Sequence, residues 1–183
     1  MLLEPTTWED KNDAYYLQEY KRKRRLKTVL ACCFSAARET FHHWKVFATG
    51  PSGVCIEFSK DALLMSLERV EGARADYVKY RLISENGHPA VETWPFLKRI
   101  AFKDEKEFRI LYESRKLCEK TKEIPFSLDC IQRITLSPWL SKCVAETVNE
   151  IIRGIDGCDR LRVDASNLID HPRWRQCINS PRS

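Results

Sequence analysis

The ten residues DEKEFRILYE, 104 to 113, constrain the fold of this chain more than any other stretch. Read with the two-residue period of a strand, Phe108, Ile110 and Tyr112 share one face, while Glu105, Glu107 and Arg109 share the other. The apolar face needs a core, so the segment predicts a strand in a sheet. The charged face has two readings, a surface in water or a polar site. Two carboxylates about 7 Å apart repel by roughly 2 kcal/mol at an effective dielectric near 20, and by little in water. Arg109 beside them offsets that repulsion, which suits either reading. As chemistry, one fixed carboxylate can stabilise a developing positive sugar while its neighbour orients or deprotonates an attacking group.

Around this segment, strand-like and helix-like stretches follow one another without the strict alternation of a doubly wound sheet. TVLACCFS, GVCIEFS, DYVKYRLI, CIQRITLS and DRLRVDAS read as strands. WEDKND opens a helix with Asp10 as its cap and Asp13 three positions later, or is a loop that orders a pocket rim, and Phe41, Trp44, Val46 and Phe47 give RETFHHWKVFA helical spacing. KDALLMSLERV reads as a helix capped by Ser59, VETWPFLKR as a short helix or turn, and PRWRQCI as a terminal helix. In SPWLSKCVAETVNEIIRGI, Ser137 is the predicted cap, Pro138 fits the first turn, and Leu140, Val144, Val148 and Ile151 form the predicted apolar stripe. TGPSG and SENGHP are breaks. The order predicts an α+β fold, with one domain over residues 1–183 and a largely antiparallel mixed sheet flanked by helices.

A chain of 183 residues is long enough to bury a core without staples. None of its eight cysteines forms a C-x-x-C pair, and several sit in apolar runs, so reduced structural thiols are expected rather than disulfides. Neighbouring His42 and His43 on a helix point about 100° apart, a poor arrangement for a metal, and no metal is expected. One of them is expected beside Trp44 and the other half exposed. No apolar run reaches membrane-helix length and the start of the chain lacks signal-peptide character, so a cytoplasmic protein without a membrane partner is expected.

The formal net charge of +5 is concentrated in KRKRRLK, whose six basic residues are Lys21, Arg22, Lys23, Arg24, Arg25 and Lys27. The rest of the chain is almost neutral. Preceded by Tyr15, Tyr16 and Tyr20, this run suits phosphate contacts and base stacking, and equally a solvated helix face.

Taken in order, TTWEDKND, LACCFS, ETFHHWKVF, GVCIEF, PFLKR, DEKEFRI and ITLSPW resemble a bacterial and phage domain-of-unknown-function family often found near abortive-infection and other defence genes. The resemblance runs from about Thr7 to Trp139 and on to Trp174. It implies a role in bacterial conflict alongside a partner protein of a defence system, with no activity to carry over. A second resemblance is to the ADP-ribosyltransferase fold, in the class marked by an Arg, a strand ending in Ser or Thr, and Glu-x-Glu. It implies that Ser35 supports a nicotinamide pocket and that Glu107 holds the ribose and stabilises an oxocarbenium-like transition state. Glu105 would position the acceptor, and NAD would be the substrate. The Arg of that signature belongs on a strand ahead of Ser35, where this chain has only MLLEP. Relatives in the first family carry an extra N-terminal strand there, so either MLLEP is its remnant or the pocket is incomplete. Arg22, Arg24 and Arg25 do not fit the role by spacing.

Three functional expectations result. The first is an effector that transfers ADP-ribose from NAD or cleaves NAD, with Ser35, Trp44 and Arg109 in the substrate pocket, Glu105, Glu107 and His43 doing chemistry, and the basic run recruiting a nucleic-acid acceptor. The second is a metal-independent ribonuclease with His43 as general acid or base, Glu107 as its partner and Arg109 on the phosphate. The third is a non-catalytic module that holds nucleic acid or a protein through the basic run.

Overall fold

TVLACCFS and EFRILYES form the longest ladder in the molecule. Strands β2 (Thr28–Ser35) and β7 (Glu107–Ser114) pair antiparallel from Thr28 opposite Ser114 to Ser35 opposite Glu107. The computed structural model describes residues 1–48, 50–85 and 87–179. Thr49 of the TGPSG break and Asn86 of the SENGHP loop lie outside the described residues.

The fold is α+β. The remaining strands are β1 (Leu2–Leu3), β3 (Val54–Phe58), β4 (Ala73–Tyr77), β5 (Lys79–Arg81), β6 (Leu97–Arg99), β8 (Thr121–Lys122), β9 (Ile131–Leu136) and β10 (Arg162–Ala165). The helices are α1 (Lys11–Lys23), α2 (Phe41–Phe47), α3 (Lys60–Leu67), α4 (Lys142–Arg153) and α5 (Pro172–Asn179). A five-stranded sheet runs in the order β4, β7, β2, β1, β8, and every pairing in it is antiparallel. A three-stranded sheet runs β10, β9, β3, with β10 parallel to β9, and β5 pairs with β6 in parallel.

The chain gathers into two compact units, residues 1–38 with 64–126, and residues 39–63 with 127–183. The first holds the five-stranded sheet and α1. Asp10 caps α1 by accepting from the backbone N–H groups of Asn12 and Asp13. The helix then lays Leu17 and Tyr20 on Val29, Ala31 and Leu111 of the sheet, with Phe96 closing the cluster. Burying each of the large side chains there contributes about 1.5–3 kcal/mol. Arg25, in the left-handed region at φ 53°, turns the chain from α1 into β2. The MLLEP segment supplies β1, which pairs beside β2 with Leu3 opposite Ala31.

The second unit holds the three-stranded sheet, α2, α4 and α5. Two sequence expectations change here. Ser137 does not cap α4, because its hydroxyl donates to the Gly50 carbonyl at 2.8 Å and accepts from the Trp139 N–H at 3.2 Å, so Pro138 sits in a turn and the helix starts at Lys142. The buried side of α4 carries Ala145, while Val144 and Ile151 of the predicted stripe are exposed. In the first unit, DYVKYRLI is not one strand either. Tyr77 ends β4, the buried Val78 donates its N–H to the Glu107 carbonyl, and Lys79 starts β5 in a different sheet. Among the described residues, no helix is long and apolar enough to cross a membrane.

Candidate functional site

The charged side of DEKEFRILYE is not a wet face. Glu107 and Arg109 are 3% and 0% exposed, so β7 is buried on both sides. Glu105 does not share the strand with Glu107. It ends a 3₁₀ turn over Ile100–Glu105, and Lys106, at φ 44°, redirects the backbone so that the strand begins at Glu107. A period-two reading cannot see that reversal, since Lys106 is an ordinary residue in a left-handed conformation. Ser35 ties the two pieces together, donating its hydroxyl to the Glu105 carbonyl at 2.7 Å while standing opposite Glu107 in the ladder.

Arg109 is the centre of a buried ionic cluster. Its Nη1 and Nη2 donate to the two oxygens of Asp13 at 3.0 and 2.6 Å, Nη1 also reaches the Pro95 carbonyl at 2.7 Å, and Nε donates to Glu107 at 2.7 Å. The guanidinium lies 5.0 Å from the centroid of the Trp8 ring. Lys98 then joins the carboxylates, its Nζ donating to Glu105 at 2.6 Å and to Glu107 at 3.1 Å, with Asp13 at 4.0 Å. The Glu107 N–H donates to the Tyr80 hydroxyl at 2.8 Å, and the Cys33 thiol hydrogen-bonds its carboxylate. Three acids and two bases thus leave a single net negative charge, and their mutual pairing is what keeps so many charges out of water.

The charge states follow from that packing. Burial alone would push Glu107 up, but Arg109 and Lys98 outweigh it and hold the carboxyl below its ordinary value. For Lys98, burial pulls down and the Glu105 and Glu107 carboxylates win, raising it above 10.5. Asp13 is pushed up by burial despite Arg109. The signs differ accordingly. Glu107 contributes stability above its unfolded pKa near 4.5 that is lost as pH falls through its folded value. Asp13 works in the opposite sense, its ionised form being the costly one in the folded state. Lys98 contributes stability fully present below 10.5 and lost as pH rises through its folded value. Urea midpoints measured from neutral to alkaline pH are therefore expected to fall at high pH, and Lys98→Met is expected to flatten that limb. An alkaline limb identical in both proteins would contradict the role given to Lys98.

The remaining sequence candidates are placed elsewhere. In the basic run, Lys21 pairs with Glu4 at 3.4 Å, Arg22 with Glu19 at 2.6 Å and Arg24 with Glu92 at 2.8 Å. Only Lys23, Arg25 and Lys27 are without a carboxylate partner among the described residues. Closing the C-terminal end of α1, the run also complements the helix dipole. His43 and Trp44 lie on α2 in the second unit, so the pairing of His43 with Glu107 is not made within either unit. His43 is half-buried and His42 exposed. Trp44 is a core residue at 4% exposure, its indole N–H donating to Glu39 at 2.8 Å, and it offers no ligand platform. Lys98 and Trp8 were not singled out by spacing, and Asp13 only as the acid three positions after the cap Asp10, although WEDKND and PFLKR contain all three.

Beside the cluster, the first unit carries a cleft of about 460 Å³, bordered by Asp13 and Lys98 together with Asp10, Tyr16, His88 and Arg99. Among the described residues, no three His, Cys, Asp or Glu side chains are grouped as metal ligands would be. No family model matches the chain, and comparison with curated proteins and with solved structures returns no match.

Proposed function

We propose that the first unit binds NAD and breaks its nicotinamide–ribose bond, passing ADP-ribose to water or to an acceptor. The observation that carries this reading is the register of Ser35 opposite Glu107, with Glu105 held on the Ser35 hydroxyl, beside a cleft that reaches the same acids through Lys98. Cleavage releases neutral nicotinamide with the electron pair of the C–N bond and leaves positive charge on the ribose. A buried carboxylate such as Glu107 stabilises that charge well because little water screens it. The attacking hydroxyl or water adds at the ribose carbon and yields its proton to Glu105, the more exposed of the two acids, at 22%. Substrate reaches Glu107 only by drawing Lys98 aside, which a diphosphate does by giving the ammonium another anion. The resemblance to a defence-associated family extends the proposal to an effector of bacterial conflict, with the acceptor a nucleic acid or a protein.

The test is nicotinamide release from NAD, followed by mass spectrometry with bacterial extract and nucleic acid as acceptors. Release is expected from the native chain and is expected to fall by about a hundredfold in Glu107→Gln, the scale of removing one group that stabilises developing charge. A folded Glu107→Gln chain with native release would overturn the assignment, as would no release from the native chain.

A second reading also has an observation behind it. Both oxygens of Glu107 are already engaged, by Arg109 and by Lys98. In that reading the cluster is an anchor for β7, the cleft binds without chemistry, and Glu107→Gln costs stability alone.

A further inference from the structure

We propose that one end of the five-stranded sheet is a surface that binds the phosphate backbone of duplex nucleic acid, through Lys23, Arg25, Lys27, Arg115, Lys116 and Lys120. Only half of these cations belong to the basic run, and the fold brings the other half to them. Thr28 stands opposite Ser114 in the β2–β7 ladder, so Lys27 and Arg115 occupy the same end of neighbouring strands, with the Lys27 N–H donating to the Ser114 carbonyl at 2.8 Å. The wholly buried Thr28 then pins the segment that follows. Its hydroxyl donates to the Leu117 carbonyl at 2.6 Å and accepts from the Glu119 N–H at 2.9 Å, which holds Arg115, Lys116 and Lys120 beside the turn into β2. All six cations are exposed, and none has a carboxylate partner among the described residues.

The acids around them are already taken. Lys21, Arg22 and Arg24 hold Glu4, Glu19 and Glu92, Arg74 holds Glu113 at 2.7 Å, and Lys122 holds Glu119 at 3.1 Å. A polyanion supplies the missing partners, and a phosphate backbone does so at regular spacing and with release of its counterions. Four of the six are lysines, point charges that suit phosphate contact without a fixed geometry. The same segments select the duplex. Single strands are held by stacking bases on exposed rings, but residues 23–27 and 114–122 contain no aromatic residue, and Tyr20, three residues before Lys23, is 2% exposed. Nor do they form the apolar face of a membrane-surface helix, since Leu117 is the one large apolar side chain exposed in them. Binding here does not depend on NAD chemistry, and only the use of the nucleic acid as an ADP-ribose acceptor rests on the reading above.

Fluorescence anisotropy of a labelled duplex of about 20 base pairs, titrated with the full chain in the absence of NAD, tests it. Native affinity is expected to fall about a thousandfold between about 50 and 200 mM salt, the response of six phosphate contacts. The triple variant Arg115→Gln, Lys116→Gln, Lys120→Gln is expected to fall only about fortyfold over that range, at an unchanged melting temperature because the three side chains are exposed. The triple variant Lys21→Gln, Arg22→Gln, Arg24→Gln removes the same charge from cations that are already paired, and its salt response is expected to stay native. No binding by the native chain, equal changes in the two triple variants, tighter binding to the single strand, or tighter binding to phosphatidylserine vesicles overturns the proposal. Duplex binding by a chain that releases no nicotinamide sustains it and overturns the transferase reading alone.

Discussion

Asp13→Ala is expected to destabilise the chain by about 3–5 kcal/mol, because it leaves Arg109 buried with half of its anionic partners gone. Arg109 is wholly inaccessible and Asp13 is 4% exposed, and water entering from the cleft would be a neutral and therefore poor substitute for the lost carboxylate. The remaining acid, Glu107, is shared with Lys98 and lies along Nε only, while both terminal nitrogens of the guanidinium lose their charged acceptor. The Pro95 carbonyl stays, but a neutral acceptor does not offset a buried cation. Replacing both partners, Asp13→Leu with Arg109→Met, removes the uncompensated charge and is expected to recover much of the loss, with Lys98 left to balance Glu107. Equilibrium unfolding in urea measures both. A loss below about 1 kcal/mol for Asp13→Ala would place the pair in the class of exposed ion pairs and contradict its burial.

Gly72→Ala is expected to cost about 3 kcal/mol, the sum of a left-handed backbone penalty and overpacking. Gly72 sits at φ +84°, and a Cβ there would overlap the backbone carbonyl oxygen of Glu113. That carbonyl belongs to β7, and Glu113 also donates its N–H to the Gly72 carbonyl at 2.9 Å, so neither backbone can move without opening the start of the β4–β7 pairing. Gly50→Ala is the control, since it shares a positive φ of +55° but has open space where the Cβ would go. Its cost is expected to be about 1 kcal/mol, the conformational penalty alone. Equal losses in the two variants would mean that close packing at Gly72 is not the cause.

Much of this architecture was legible because local patterns and tertiary packing agree. The apolar alternation of Phe108, Ile110 and Tyr112 gave β7, and the unbroken apolar run of TVLACCFS gave its buried partner β2. Asp10 was legible as a cap because a cap is a local device. What failed depended on neighbours distant in the chain. Spacing alone left the face of Glu107 and Arg109 open between a surface in water and a polar site, and only Asp13, Lys98 and Pro95, brought in by α1, β6 and the segment before it, make their burial tolerable. Ser137 was misread as a cap because its hydroxyl is taken by Gly50, a contact between residues far apart in sequence. The basic run looked like six free charges because the carboxylates of Glu4 and Glu92 lie outside it. The Ser35 and Glu105 association was anticipated as a shared pocket, and they do meet, through the Glu105 carbonyl rather than its carboxylate.

The most direct measurement on the proposed NAD-binding cleft is hydrogen exchange of the native chain, read by mass spectrometry, with and without saturating NAD. Slower exchange confined to the first turns of α1, to β5 and β6 and to residues 82–85 and 87–89 between them is the expected result, since these carry the residues that border the cleft. Protection confined to residues 39–63 and 127–183, or no protection anywhere, would contradict it.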